Sequence, residues 1–209
     1  MPNWVHTRLN VTGPQEDIGR LMTGATTKDE NGVDVIAFIP NLIPVPAELN
    51  IMSGSMSSDT PGYEDWVKQQ ASNVLKYGHR DWYSWTYDNW GTKWGDCDTY
   101  VDSSLADSLH VTFQTAWGPA DKAWLAISEM FPTLSFEFYY DEEAGYFEGY
   151  HIMRNGAIVL DAMYAPSEFP LEVDWDNEDS IAGYENWKDI EREKIEAELF
   201  AFYVKEKVS

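Results

Sequence analysis

Leu109-His110-Val111-Thr112-Phe113-Gln114-Thr115 is the stretch on which the fold turns. Leu109, Val111, Phe113 and Thr115 alternate with His110, Thr112 and Gln114, the period-two pattern of a strand with one buried face. Ala116-Trp117-Gly118-Pro119 breaks the pattern, and Pro119 opens a helix running to about Met130 that buries Trp124, Ile127 and Met130. Pro132 ends that helix. A second strand follows over residues 134–140, a turn over 141–145, and a return strand over 146–153. Asn155-Gly156 then marks a tight hairpin into a last strand over 157–163.

Working outward from this block, Trp4, His6, Arg8 and Asn10 alternate with Val5, Thr7, Leu9 and Val11 and predict a first strand. A short helix over residues 15–23 comes next, with Glu16 and Asp17 in its first turn. Residues 35–39 form an apolar run that reads as a buried strand closed by Pro40. Pro40, Pro44 and Pro46 then hold the chain extended. Residues 53–62 are small and polar and read as a loop, and helices over 65–77 and 80–87 complete a helical insertion at about 50–88.

Beyond the last strand, residues 165–183 read as an acidic connector. Residues 184–208 read as a long helix with Trp187, Ile190, Ile195, Leu199 and Phe202 on one stripe, which docks it on the sheet. The order is β-α-β, a helical insertion, then β-α-β-β-β and a helix. The expected fold is therefore α+β, a ferredoxin-like split β-α-β over residues 1–163, with the connector and helix of 164–209 packed on it. Cys97 stands alone, so the iron–sulfur cluster of true ferredoxins is excluded and no intramolecular disulfide forms.

With 36 acids against 14 lysines and arginines the net charge is −22, which disfavours direct contact with nucleic acid or anionic lipid. No stretch is apolar for long enough to span a membrane, and the start lacks the basic and apolar regions of a signal peptide. The expected location is the cytoplasm, as a monomer or homodimer.

Two regions are candidates for function. Asn89-Trp90-Gly91-Thr92-Lys93-Trp94-Gly95 concentrates indoles, and Trp90, Lys93, Trp94 and Trp117 form a possible pocket. Lys93 itself is expected to pair with one of the many acids nearby. From residue 161 onward 14 acids face 5 bases, and the densest run contains Glu172, Asp174, Trp175, Asp176, Glu178 and Asp179. Carboxylates spaced around an indole suit a basic protein surface.

Catalytic and metal patterns are sparse. Asp96, Asp98, Asp102, Glu142 and Glu143 have no histidine at a ligating spacing and no calcium-loop motif, so neither metal nor cofactor is expected. His6 and His110 fall in strands, where a hydrogen-bonded structural role is expected. Asp96 and Asp98 beside Cys97 oppose thiolate formation, and no catalytic nucleophile is assigned.

Several blocks in order carry a family resemblance: Met1-Pro2-Asn3-Trp4 with Val11-Thr12-Gly13, then Phe38-Ile39-Pro40 with Pro44-Val45-Pro46, then Asn89 to Trp94. Phe113-Gln114-Thr115-Ala116-Trp117-Gly118-Pro119 and Tyr140-Asp141-Glu142-Glu143 with Phe147-Glu148-Gly149 complete them. Together they resemble the YubB-like family of phage and conjugative-plasmid proteins with a ferredoxin-like domain, over about residues 1–150. Val5 stands where relatives often carry a cysteine, and the acidic tail is particular to this chain. The resemblance implies the fold and a mobile-element origin but brings no catalytic residues. The expectation is a non-enzymatic accessory protein that binds a basic, nucleic-acid-binding surface of a host protein. It would act as an anti-restriction or anti-CRISPR factor and possible DNA mimic. The alternative is a small-ligand or metal binder, or an enzyme, at the Trp90–Trp117 pocket.

Overall fold

A computed structural model describes residues 2–165 and 172–208. Its strands are β1 (Trp4–Thr12), β2 (Thr26–Lys28), β3 (Asp34–Ile36), β4 (Cys97–Ser104), β5 (Ser108–Ala116), β6 (Ser135–Glu142), β7 (Glu148–Arg154) and β8 (Ala157–Tyr164). Its helices are α1 (Gln15–Ala25), α2 (Phe38–Leu42), α3 (Tyr63–Tyr77), α4 (Trp82–Asn89), α5 (Asp121–Met130) and α6 (Glu178–Val208). Six strands form one antiparallel sheet in the order β4-β5-β1-β6-β7-β8, while β2 and β3 pair apart from it. Strands β4, β5, β1 and β6 with helices α1 and α5 make the split β-α-β of a ferredoxin-like fold, and β7 and β8 extend its β6 edge.

Alternation assigns the faces. Leu9 of β1 sits opposite Val111 of β5 and Phe138 of β6, and all three point toward α1 and α5. Trp124 of α5 is fully buried at the hub, with Phe138 at 5.2 Å, Phe113 at 5.5 Å, Phe38 at 5.8 Å and Phe136 at 6.1 Å between ring centroids. Such offset and tilted pairs are favoured over face-to-face stacks.

The other face is split in two. Over β6, β7 and β8 it is closed by α6, beneath which Ile152, Ala162 and Tyr164 are buried. Over β4, β5 and β1 it is open, and His6, Arg8 and His110 lie exposed there.

Four expectations need correction. Residues 35–39 are not one strand: β3 ends at Ile36 and Phe38 begins α2, with Pro40 inside it. Proline is tolerated because the first N–H groups of a helix have no partner within it, and Asp96 accepts from the Phe38 and Ile39 amides at 2.8 and 2.7 Å. Met130 ends α5 at 48% exposure, because the buried face runs through Ile127 and Ser128 to Phe131 and leaves Met130 off it. The last helix begins at Glu178, six residues earlier than its apolar stripe suggested. Ile190 points away from the sheet at 44% exposure, while Trp187, Ile195, Leu199 and Phe202 of the expected stripe stay half-buried and are joined by Tyr184, Lys188 and Arg192.

Candidate functional site

The acidic stretch before α6 is built by capping. Asn177 Oδ1 accepts from the amides of Asp179 and Ser180 at 3.0 and 3.3 Å, and Ser180 Oγ accepts from the Asp174 amide at 2.9 Å. Glu178 and Asp179 then occupy the first helical turn, where the helix dipole favours negative charge. Trp175 is 65% exposed and rests edge-on against Tyr184 at 5.6 Å. Glu172, Asp174, Asp176, Glu178 and Asp179 are all exposed, and none has a basic partner among the described residues. Leu171, the first residue of the run, lies outside the described residues.

The possible pocket around the indoles divides. Trp90 is buried, donates from Nε1 to the Ile43 carbonyl at 3.0 Å and packs edge-on with Trp85, so it clamps the insertion to the sheet. Trp94 and Trp117 are about two-fifths exposed and stack on each other, and Tyr87 stacks on Trp117. Lys93 forms no ion pair among the described residues; its Nζ lies 4.4 Å from the Trp94 ring centroid, 5.4 Å from Tyr83 and 5.7 Å from Trp117. The pairing expected of Lys93 with an acid is thus replaced by three aromatic faces, which attract a cation through the ring quadrupole.

Of the acids weighed as metal ligands, Asp96 and Glu142 are buried, while Asp98, Asp102 and Glu143 are exposed. Besides the two α2 amides, Asp96 accepts from Thr99 Oγ1 at 2.7 Å. Glu142 accepts from the amides of Ala144 and Tyr146 at 3.0 and 2.9 Å, and Glu143 from the Trp4 amide at 3.0 Å. They staple turns. Among the described residues no group of three or more acids, histidines and cysteine is arranged to hold a metal ion. Cys97 is half-buried, and burial together with Asp96 and Asp98 raises its thiol pKa.

The histidine expectation also needs correction. His6 and His110 lie on the open sheet face, which has a cleft of about 610 Å³ lined in part by Arg8, His110, Glu137 and Tyr139. The buried, hydrogen-bonded histidine is His151 on β7. Its Nδ1 is 3.1 Å from Asp121 Oδ1, and its Nε2 is 2.9 Å from both Asp161 Oδ1 and the Tyr140 hydroxyl. Burial alone would lower its pKa, but Asp121 and Asp161 outweigh burial and raise it. Burial, then the same two acids, push the Tyr140 hydroxyl well above the usual phenol range. The strand pattern held the signal: His151 alternates with Gly149 and Met153 on the face that Phe138 buries.

A second polar cluster fastens α6. Glu148 is buried and accepts from Arg192 Nε and Nη2 at 2.9 and 2.8 Å, from the Tyr164 hydroxyl at 2.6 Å, and from the Tyr139 hydroxyl. Burial would raise its pKa, but Arg192 and the two tyrosines hold it below the ordinary value. Near the other end of α6, Arg154 pairs with Glu206.

With this geometry in hand, the chain can be set beside known proteins. Residues 89–185 match the family described as the ferredoxin-like domain in Api92-like protein. The matched segment runs from the end of α4 through β8 into α6 and supports a ferredoxin-like fold, while β1 and α1 lie outside it. The crystal structure of protein api92 from Yersinia pseudotuberculosis is 12% identical, covers 79% of this chain and 99% of its own, and has a TM-score of 0.44, a likeness too slight to argue from. No curated protein matches the chain. Among the described residues no helix is long and apolar enough to cross a membrane.

Proposed function

We propose that this is a non-enzymatic interaction protein whose acidic stretch before α6 binds a basic, nucleic-acid-binding surface of a host protein. The observation that carries the reading is the set of five exposed carboxylates, Glu172, Asp174, Asp176, Glu178 and Asp179, that have no ion pair among the described residues, around a Trp175 that is 65% exposed. Exposed acids in a folded protein are commonly offset by nearby cations, as Lys188 offsets Glu185 and Arg192 offsets Asp189 further along α6. Here the charge is left outward, and an indole stands among it as the anchor that binding hot spots favour. In the same reading the protein is an accessory factor of a phage or mobile element. Its carboxylates occupy phosphate positions on a restriction or CRISPR nuclease, as a mimic of DNA. Association is fast and falls steeply with salt.

The test is a pull-down from bacterial lysate at low salt, with mass spectrometry, comparing the native chain with one carrying Glu172→Gln, Asp174→Asn, Asp176→Asn, Glu178→Gln and Asp179→Asn. The native chain is expected to retain a DNA-binding protein that duplex DNA displaces and the neutralised chain does not retain. Recovery of the same proteins by both chains, together with unchanged phage plating on defended hosts, would refute the proposal.

A further inference from the structure

The His151 cluster lies at the floor of a cavity that the acidic stretch does not explain. The cavity holds about 250 Å³ between the turn before α5 and strands β7 and β8. Drug-sized ligands occupy roughly 300–1,000 Å³, so this space suits one side chain or one small molecule. Phe147, Ile158 and Met163 supply apolar wall, and Trp117 stands at its side.

Asp121 and Asp161 are 37% and 61% exposed, and each engages His151 through Oδ1 alone. Neither Oδ2 has a partner among the described residues. Two carboxylates on one imidazolium leave the cluster with net negative charge even when His151 is protonated. The two imidazole nitrogens face opposite carboxylates, so the three groups do not converge on one point as metal ligands would.

The backbone here is also constrained. Trp117 has φ 66° and Ala120 φ 61°, left-handed values that are uncommon for residues with a Cβ and unusual for one as bulky as tryptophan. The turn is held by the Trp117 amide donating to the Asn3 carbonyl at 2.9 Å and by Thr115 Oγ1 donating to the Gly118 carbonyl at 2.6 Å. Strain of this kind persists where the surroundings over-determine it, and it gathers at ligand sites.

We propose that this cavity binds an organic cation, a guanidinium or ammonium group carried on an aliphatic stem. The stem lies along Ile158 and Met163, and the charged head pairs with the free oxygens of Asp121 and Asp161 beside Trp117. The chemistry is that of an arginine or lysine side chain, whether on a partner protein or free as an amine. The proposal stands apart from the role given to residues 172–179, because none of them lines the cavity.

The experiment titrates the intact protein with N-acetylarginine amide, with its neutral isostere N-acetylcitrulline amide, and with a Gly/Ser peptide holding one arginine. NMR shifts of the Trp117 indole and the His151 ring report binding. The arginine amide is expected to give saturable shifts at both residues, weakened at least tenfold by Asp161→Asn and by Trp117→Gly, with none from the citrulline amide. Glycine suits φ 66°, so Trp117→Gly removes the wall without backbone strain; binding in this variant is read at the His151 ring, and a native-like amide spectrum verifies that it folds. A peptide that binds more tightly than the amide assigns the cation to a partner's side chain, and equal affinity assigns it to a free small molecule. Equal shifts from citrulline, undiminished binding in both variants, or no saturable shift with any probe would overturn the proposal.

Discussion

The two faces of the sheet are held by different forces. On one, Trp124, Phe113, Phe136 and Phe138 are buried together, and α5 is fixed mainly by apolar area, with the Asp121–His151 contact at its start. On the other, α6 is fastened over Ile152 and Ala162 through Glu148, Arg192, Tyr139 and Tyr164 at its middle and Arg154 with Glu206 toward its end. The contrast teaches that one sheet can support a half held mainly by apolar burial and a half whose attachment runs mainly through buried ionisable groups. The acidic stretch proposed to bind the partner belongs to the second half.

The comparison breaks first at its apolar side. Trp124→Ala should cost about 3–5 kcal/mol in chemical denaturation and destabilise the whole domain. Asp96→Ala orphans the Phe38 and Ile39 amides and should cost about 2–3 kcal/mol, with the loss of hydrogen-exchange protection centred on α2. Gly149→Ala sets a Cβ 2.4 Å from the Tyr140 hydroxyl and 3.0 Å from the Ala162 carbonyl oxygen. A loss of about 2 kcal/mol is expected, with the His151 resonances displaced. Glu148→Gln should be the mildest globally, about 1 kcal/mol because Arg192 is 43% exposed, while protection in α6 falls well below that in α5.

The pH dependence also separates the clusters. Glu148 has a depressed folded pKa, so its contribution is present above the unfolded value of about 4.3 and is lost as pH falls through the folded one. The raised pKa of His151 works the other way. Its contribution is full below about 6.5 and is lost as pH rises through the folded value. Acid should loosen α6 first, and mild alkali should weaken the α5–β7 contact; NMR titration of α6 amides and the His151 ring checks both.

Strands β1, β5 and β6 were legible because each alternates over six or more residues and one face is buried, whereas β7 and β8 do not alternate and were legible from the Asn155-Gly156 hairpin between them. Helix α2 was hidden because its capping carboxylate, Asp96, is 57 residues or more away along the chain. The start of α6 was masked by the acid-rich run, although Asn177 followed by Glu178 and Asp179 is a capping pattern. At the candidate sites, the exposed carboxylates and Trp175 could be named from the run alone. The Asp121–His151–Asp161 cluster could not, since it joins a helix and two strands whose register no local pattern reveals. Lys93 escaped for the same reason: its rings come from α4, the following loop and the turn after β5.

Native-state hydrogen exchange of the intact chain, read separately for α5 and α6 at neutral pH and as the pH is lowered through the folded pKa of Glu148, tests the central claim most directly. Amides in α6 are predicted to open at a lower free energy than those in α5, with the gap widening in acid as Glu148 is protonated. Equal opening free energies for the two helices, unchanged by acid, would contradict the account.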